Sequence, residues 1–117
     1  MKEITIRLIY DLSFGSNCAE LYSWLDDIDA IECGSNCAHF KYLIPDTVLS
    51  DAELTDMLRK ELTDNIKFKG GDRIYVIRED INSTAGKSIG SFIIGKRKDA
   101  PWVGFGNNSN DTVEEGS

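Results

Sequence analysis

Asp29–Ile44 reads DAIECGSNCAHFKYLI, and the fold turns on it. Ala38, Phe40, Tyr42 and Ile44 share one parity; Cys37 and His39 share the other. Alternation of this kind marks a strand with one buried face. Residues 29–33 supply a second short strand, and Gly34-Ser35-Asn36 between them is a run of turn-formers of hairpin length. Pro45 and Asp46 close the second strand. The stretch therefore predicts a β-hairpin, and its flanks decide what the hairpin belongs to.

Upstream, Ile4, Ile6, Leu8 and Tyr10 alternate with Thr5, Arg7, Ile9 and Asp11, which predicts a strand over about 3–10. Asn17 and Glu20 have the spacing of a capping box. Cys18, Leu21, Tyr22, Leu25 and Ile28 then recur at helical steps, predicting a helix over 18–27 with Trp24 at the edge of its buried stripe. Downstream, Ser50-Asp51-Ala52-Glu53 is a capping box followed by Leu54, Met57, Leu58 and Leu62 on one face, predicting a helix over 51–63. Gly70-Gly71-Asp72 is a turn, and Arg73–Arg78 is a strand rich in β-formers.

The order is β-α-β-β-α-β. It predicts an α+β, ferredoxin-like sandwich: an antiparallel sheet with two helices on one face. Residues 1–106 are read as one such domain with a C-terminal extension from about 81. The polar stretch 81–90 is read as a loop and Ser91–Gly95 as an extra strand. Pro101-Trp102-Val103-Gly104-Phe105 is too apolar for a free tail and is expected to dock on the chain's own core or sheet edge, the alternative being pairing with another subunit. Residues 107–117 are expected to be a disordered acidic tail.

The 117 residues carry 20 acids against 13 bases, a net charge of -7. This disfavours holding nucleic acid by broad electrostatics and suits solubility or a basic protein partner. No apolar run approaches a membrane span, and MKEITIRLIYDL lacks the pattern of a signal peptide, so a cytoplasmic location is expected.

The five letters GSNCA occur twice, at 15–19 and 34–38, and hold two of the three cysteines. Gly, Ser and Asn suit element boundaries, so the echo is read as punctuation at a helix start and a hairpin turn. Cys33-x3-Cys37 with His39 fits a zinc site loosely, and Cys18, placed on the core stripe, lies across the sheet from it. A Cys33–Cys37 cross-strand disulfide is conceivable if a three-residue loop sets them opposite; free thiols are the reading preferred. His39, the single histidine, has no partner at a diagnostic spacing. Ala85-Gly86-Lys87-Ser88 lacks the first glycine of a phosphate-binding loop, because position 81 is Ile81. Lys96-Arg97-Lys98 is the one basic cluster, read as a strand edge or turn.

Ile6-Arg7-Leu8-Ile9-Tyr10-Asp11-Leu12, the spacing of the two helices, and Asp72-Arg73-Ile74-Tyr75-Val76-Ile77 resemble the small CRISPR adaptation endoribonuclease-like superfamily, including its short SinR-like members, over residues 3–79. The resemblance implies a ferredoxin-like core and a symmetric homodimer. It also implies metal-dependent nuclease activity, with Asp11 as the ligand of Mg or Mn. The chain differs in its acidity and in offering Arg7, Lys41 and Arg73 as the basic groups of the open sheet face.

The leading expectation is instead a binding protein without a cofactor: a small acidic inhibitor of the immunity-protein, antitoxin or phage anti-defence type. It would occlude a basic partner, such as a toxin or a nucleic-acid-binding effector, through Asp26, Asp27, Asp29 and Glu32. Those acids crowd the C-terminal end of the first helix, where the dipole disfavours them. A structural homo-oligomeric subunit is the third reading, with Phe92, Ile94, Trp102 and Phe105 at the interface.

Overall fold

The computed structural model describes residues 1–16, 18–48, 50–81 and 86–106. Seven elements follow one another: β1 (Lys2–Asp11), α1 (Cys18–Asp27), β2 (Ile31–Gly34), β3 (Cys37–Ile44), α2 (Asp51–Asn65), β4 (Arg73–Glu79) and β5 (Ser88–Ile94). The strands form one antiparallel sheet in the order β2-β3-β1-β4-β5. The protein is thus α+β, with five strands and two helices, an arrangement compatible with a ferredoxin-like fold.

Period-two alternation sorts the sheet into two faces. Ile4, Ile6 and Leu8 of β1, Ala38, Phe40, Tyr42 and Ile44 of β3, and Ile74 and Val76 of β4 are buried. They form a single core with Leu21, Trp24 and Leu25 of α1 and Leu54, Leu58 and Leu62 of α2. Both helices therefore cover the same face. The opposite face carries Thr5, Arg7, Ile9 and Asp11 of β1 beside His39, Lys41 and Leu43 of β3 and Tyr75 and Ile77 of β4.

Local chemistry fixes the ends. Ser50 caps α2: its Oγ accepts from the Glu53 amide at 3.2 Å, which is one arm of a capping box, and the hydroxyl also donates to Glu53 Oε1 at 3.1 Å. The Asn17 cap of α1 lies outside the described residues, as do 82–85 of the expected loop and the tail 107–117. Asp72 is 3% exposed and joins the two loops at the ends of β1 and β4. Its carboxylate accepts from Ser13 N, Ser13 Oγ and Lys69 N, each at 2.7 Å, and from Ser16 Oγ.

Several expectations are corrected. Cys18 and Tyr22 are exposed, whereas Trp24 is buried at 5% exposure. Trp24 is drawn inward by two partners: its ring meets Phe40 edge-on at 5.5 Å, and its Nε1 donates to Glu61 Oε2 of α2 at 2.9 Å. In the hairpin, Gly34 rather than Cys33 pairs with Cys37, because a bulge falls between Glu32 and Gly34. The turn is Ser35-Asn36, anchored by Tyr10 N donating to Asn36 O at 2.9 Å. All three cysteines are free. The added strand begins at Ser88, not Ser91, so part of the expected loop 81–90 is sheet. Trp102 and Phe105 do not dock on the core; they are 72% and 84% exposed. No helix among the described residues is long and apolar enough to cross a membrane.

Candidate functional site

α1 ends in a turn that puts its acids in solvent. Ala30 N donates to Leu25 O at 3.0 Å and Asp29 N to Asp26 O at 3.1 Å, the bond pair of a Schellman motif. The motif needs a left-handed residue at the first position past the helix, and Asp29 occupies it with φ 57°. Glycine is the usual occupant, because a side chain there meets the following carbonyl. No basic residue sits in the last turn of α1. Asp26, Asp27 and Asp29 are exposed at this negative end, and Glu32 is exposed on the adjoining β2 edge. The four acids expected to meet a partner thus lie on one corner.

A cleft of about 360 Å³ opens at that corner. Asp26 and Glu32 are on its rim; Tyr10, Tyr22, Leu25 and Ile31 line it. Tyr22 and Ile31 are 53% and 60% exposed. Tyr10 and Tyr22 meet edge-on at 6.1 Å. Hydrogen bonding with Tyr22, aided by burial, pushes the Tyr10 hydroxyl up to about 12. Hydrogen bonding with Cys33, then burial, pushes the Cys37 thiol in the same cleft up to about 11. Both groups stay protonated at neutral pH, so Cys37 is not an activated nucleophile. The corner sets apolar side chains beside the carboxylates of Asp26 and Glu32. Ile31 was not anticipated as part of this cleft, although its place on a four-residue edge strand is what exposes it. Tyr22 was missed because its spacing matched the buried stripe.

A second cleft, of about 300 Å³, lies on the open sheet face between β1, β4 and β5. Here the structure places Asp11, whose Oδ2 accepts from Arg73 Nε at 3.0 Å and Nη2 at 2.5 Å. Tyr75 and Phe92 stack edge-on at 4.8 Å, and the Arg73 and Arg97 guanidinium carbons lie 5.7 and 5.4 Å from the Phe92 centroid. Gly90 makes room for this: a Cβ there would come within 2.2 Å of the Tyr75 hydroxyl. Of the two β5 residues offered for an oligomer interface, Phe92 lines the open-face cleft and Ile94 packs against the core. The register slips between Ile74 and Tyr75, which pair with Ile94 and Phe92 respectively, and the intervening Ile93 is buried.

The surroundings of Asp11 do not fit a magnesium or manganese site within one chain. Such ions take several oxygen ligands, whereas Asp11 shares its cleft with Ile9, two guanidiniums and two aromatic rings. Among the described residues no group of three or more His, Cys, Asp or Glu could hold a metal ion. His39, half-buried on β3, pairs with Arg7 in the register and with Ile31 on its other side.

Comparison with protein-family models, with curated proteins and with solved structures finds no match to this chain.

Proposed function

We propose that this chain is a protein-binding inhibitor, of the immunity-protein, antitoxin or anti-defence kind, that occludes a cationic surface with the α1–β2 corner. The strand order β2-β3-β1-β4 is the order of a ferredoxin-like sheet, and on that reading β5 is an addition beside β4. The observation that carries the function is Asp29. It is a carboxylate in a left-handed turn, at the negative end of a helix, beside Asp26 and Asp27. Both its backbone and its charge are unfavourable there for folding alone. A binding role supplies a reason for the placement, because clustered acids speed encounter with a basic partner and reject acidic ones. The exposed Tyr22 and Ile31 give the corner the apolar centre that a stable interface needs inside a charged rim.

Titration of the protein into a panel of cationic nuclease toxins and nucleic-acid-binding effectors at low salt tests the proposal. Submicromolar binding to one member is expected, lost by about a hundredfold when Asp26, Asp27, Asp29 and Glu32 are changed to Asn, Asn, Asn and Gln. Binding that survives these changes intact would remove the corner from the account.

A further inference from the structure

One end of the sheet gathers three loops. β1 ends at Asp11 opposite Arg73, where β4 begins, and β5 ends at Ile94 opposite Ile74. The segments beyond these residues therefore leave from the same end. Asp72 ties them together. Its carboxylate accepts from Ser13 N and Lys69 N, each at 2.7 Å. A Cβ at Gly95 would lie 2.6 Å from the Asp72 carbonyl oxygen, so the chain after β5 departs against the same residue.

These loops carry apolar tips. Phe14 is fully exposed, and Trp102, Val103 and Phe105 are 72%, 73% and 84% exposed. The second tip is held in shape by its own backbone: Val103 N donates to Ala100 O at 3.2 Å and Phe105 N to Trp102 O at 3.0 Å. Apolar surface concentrated in this way marks an interaction site rather than scattered surface residues. The same loops carry lysines. Lys67, Lys69, Lys96 and Lys98 are exposed and make no ion pair among the described residues. Three acids lie on these segments. Glu20 accepts from Lys67 N at 2.8 Å, Asp11 is paired with Arg73, and Asp99 follows Lys98.

We infer that this end of the molecule docks peripherally on an anionic lipid bilayer. The apolar tips enter the boundary between headgroups and acyl chains, and the lysines behind them lie among the headgroup phosphates. Such contact needs no spanning helix; it takes apolar side chains for insertion and cations for attraction to anionic lipid. Tryptophan suits that boundary, with an apolar ring and one polar N–H. Lysine suits it as well, because its stem lies along apolar surface while the ammonium stays in water. Two features favour lipid over a nucleic-acid strand. The free cations here are compact ammonium groups rather than forked guanidiniums; Arg97 is turned back over the Tyr75 and Phe92 rings. The apolar groups stand on loop tips instead of a stacking platform, and Val103 has no ring to stack on a base.

The net charge of -7 does not oppose this contact locally. The acidic corner adjoins β2, four strand spacings from β5, or about 19 Å. That is more than twice the Debye length of about 8 Å at physiological salt. The lipid surface and the acidic corner are therefore separate and can fail independently.

The test is flotation of the full chain with vesicles of phosphatidylcholine containing about 30% phosphatidylserine, beside vesicles of phosphatidylcholine alone. The protein should float with the anionic vesicles and much less with the neutral ones. Its tryptophan emission should move to shorter wavelength and be quenched by lipids brominated on the acyl chains. Trp24 is already buried, so both changes should vanish in Trp102→Ala. Trp102→Ala, Phe105→Ala and Phe14→Ala, all at exposed positions, should each weaken partitioning about tenfold. Lys96→Gln combined with Lys98→Gln should weaken it at least about tenfold on the anionic vesicles alone. No flotation with anionic vesicles, equal flotation with neutral ones, or partitioning indifferent to the aromatic changes would each overturn the inference. So would binding to a single-stranded oligonucleotide without binding to vesicles.

Discussion

Asp72 holds the β1–α1 loop to the start of β4 by accepting four hydrogen bonds at one nearly buried carboxylate. Burial alone would raise its pKa, but the bonds from Ser16, Lys69 and Ser13 outweigh burial and bring it down to about 2. A carboxyl whose folded value is depressed stabilises the fold above its ordinary value of about 4, and that stability drains away as pH falls toward 2. Chemical denaturation at pH 5, 3.5 and 2 should therefore show a loss of about 2 kcal/mol that Asp72→Asn abolishes, with the variant already about 2 kcal/mol weaker at pH 5. Asp29 gives the opposite sign. Asp29→Gly should stabilise the fold by about 1 kcal/mol, since relief of the left-handed side chain and of the helix-end charge exceeds the extra freedom glycine brings to the unfolded chain. The same change should weaken partner binding, measured by calorimetry beside the melt; a gain in both would separate Asp29 from function. Neither role is written in local sequence. Asp72 reads as the last letter of a turn, because its partners Ser13 and Ser16 lie more than fifty positions away.

At the scale of elements, what was legible is what depends on period and caps. β1, α1, α2 and β4 fall within a residue or two of their predicted bounds, because alternation, the stripe of leucines and the Ser50 capping box are all local signals. What was hidden is set by neighbours. The bulge at Cys33, the early start of β5 and the inward turn of Ile94 are decided by pairing partners, and the burial of Trp24 by Glu61 across the interhelix contact. That contact is itself testable. Glu61 accepts from Trp24 Nε1 at 2.9 Å and from the Tyr42 hydroxyl at 2.7 Å, linking α1, α2 and β3. Glu61→Ala leaves two buried donors unanswered and should cost about 2–3 kcal/mol in a urea melt, whereas Trp24→Phe made on top of it should cost less than it does in the native chain. Additive costs would mean that Glu61 does not serve Trp24.

For the whole molecule, the acidity and its crowding at the end of α1 were legible in the sequence, but the aromatic floor of the open face was not. The α1 end is acidic, while the open face mixes both signs around an aromatic floor. The acidic corner should answer to salt. Raising ionic strength from about 0.05 to 0.5 M shortens the Debye length from roughly 14 to 4 Å. It should lower the association rate with a cationic partner about tenfold or more. The Asp11 cleft, where the family resemblance would put metal chemistry, holds an arginine pair instead.

The central claim is that the α1–β2 corner meets a cationic partner, and a two-dimensional amide NMR titration with whichever member of the panel binds tests it most directly. The account predicts that resonances of residues 22–34 shift or broaden first, around Tyr22, Asp26, Asp29 and Glu32, with 73–97 left in place. Shifts confined to Arg73–Arg97, with the corner silent, would contradict it.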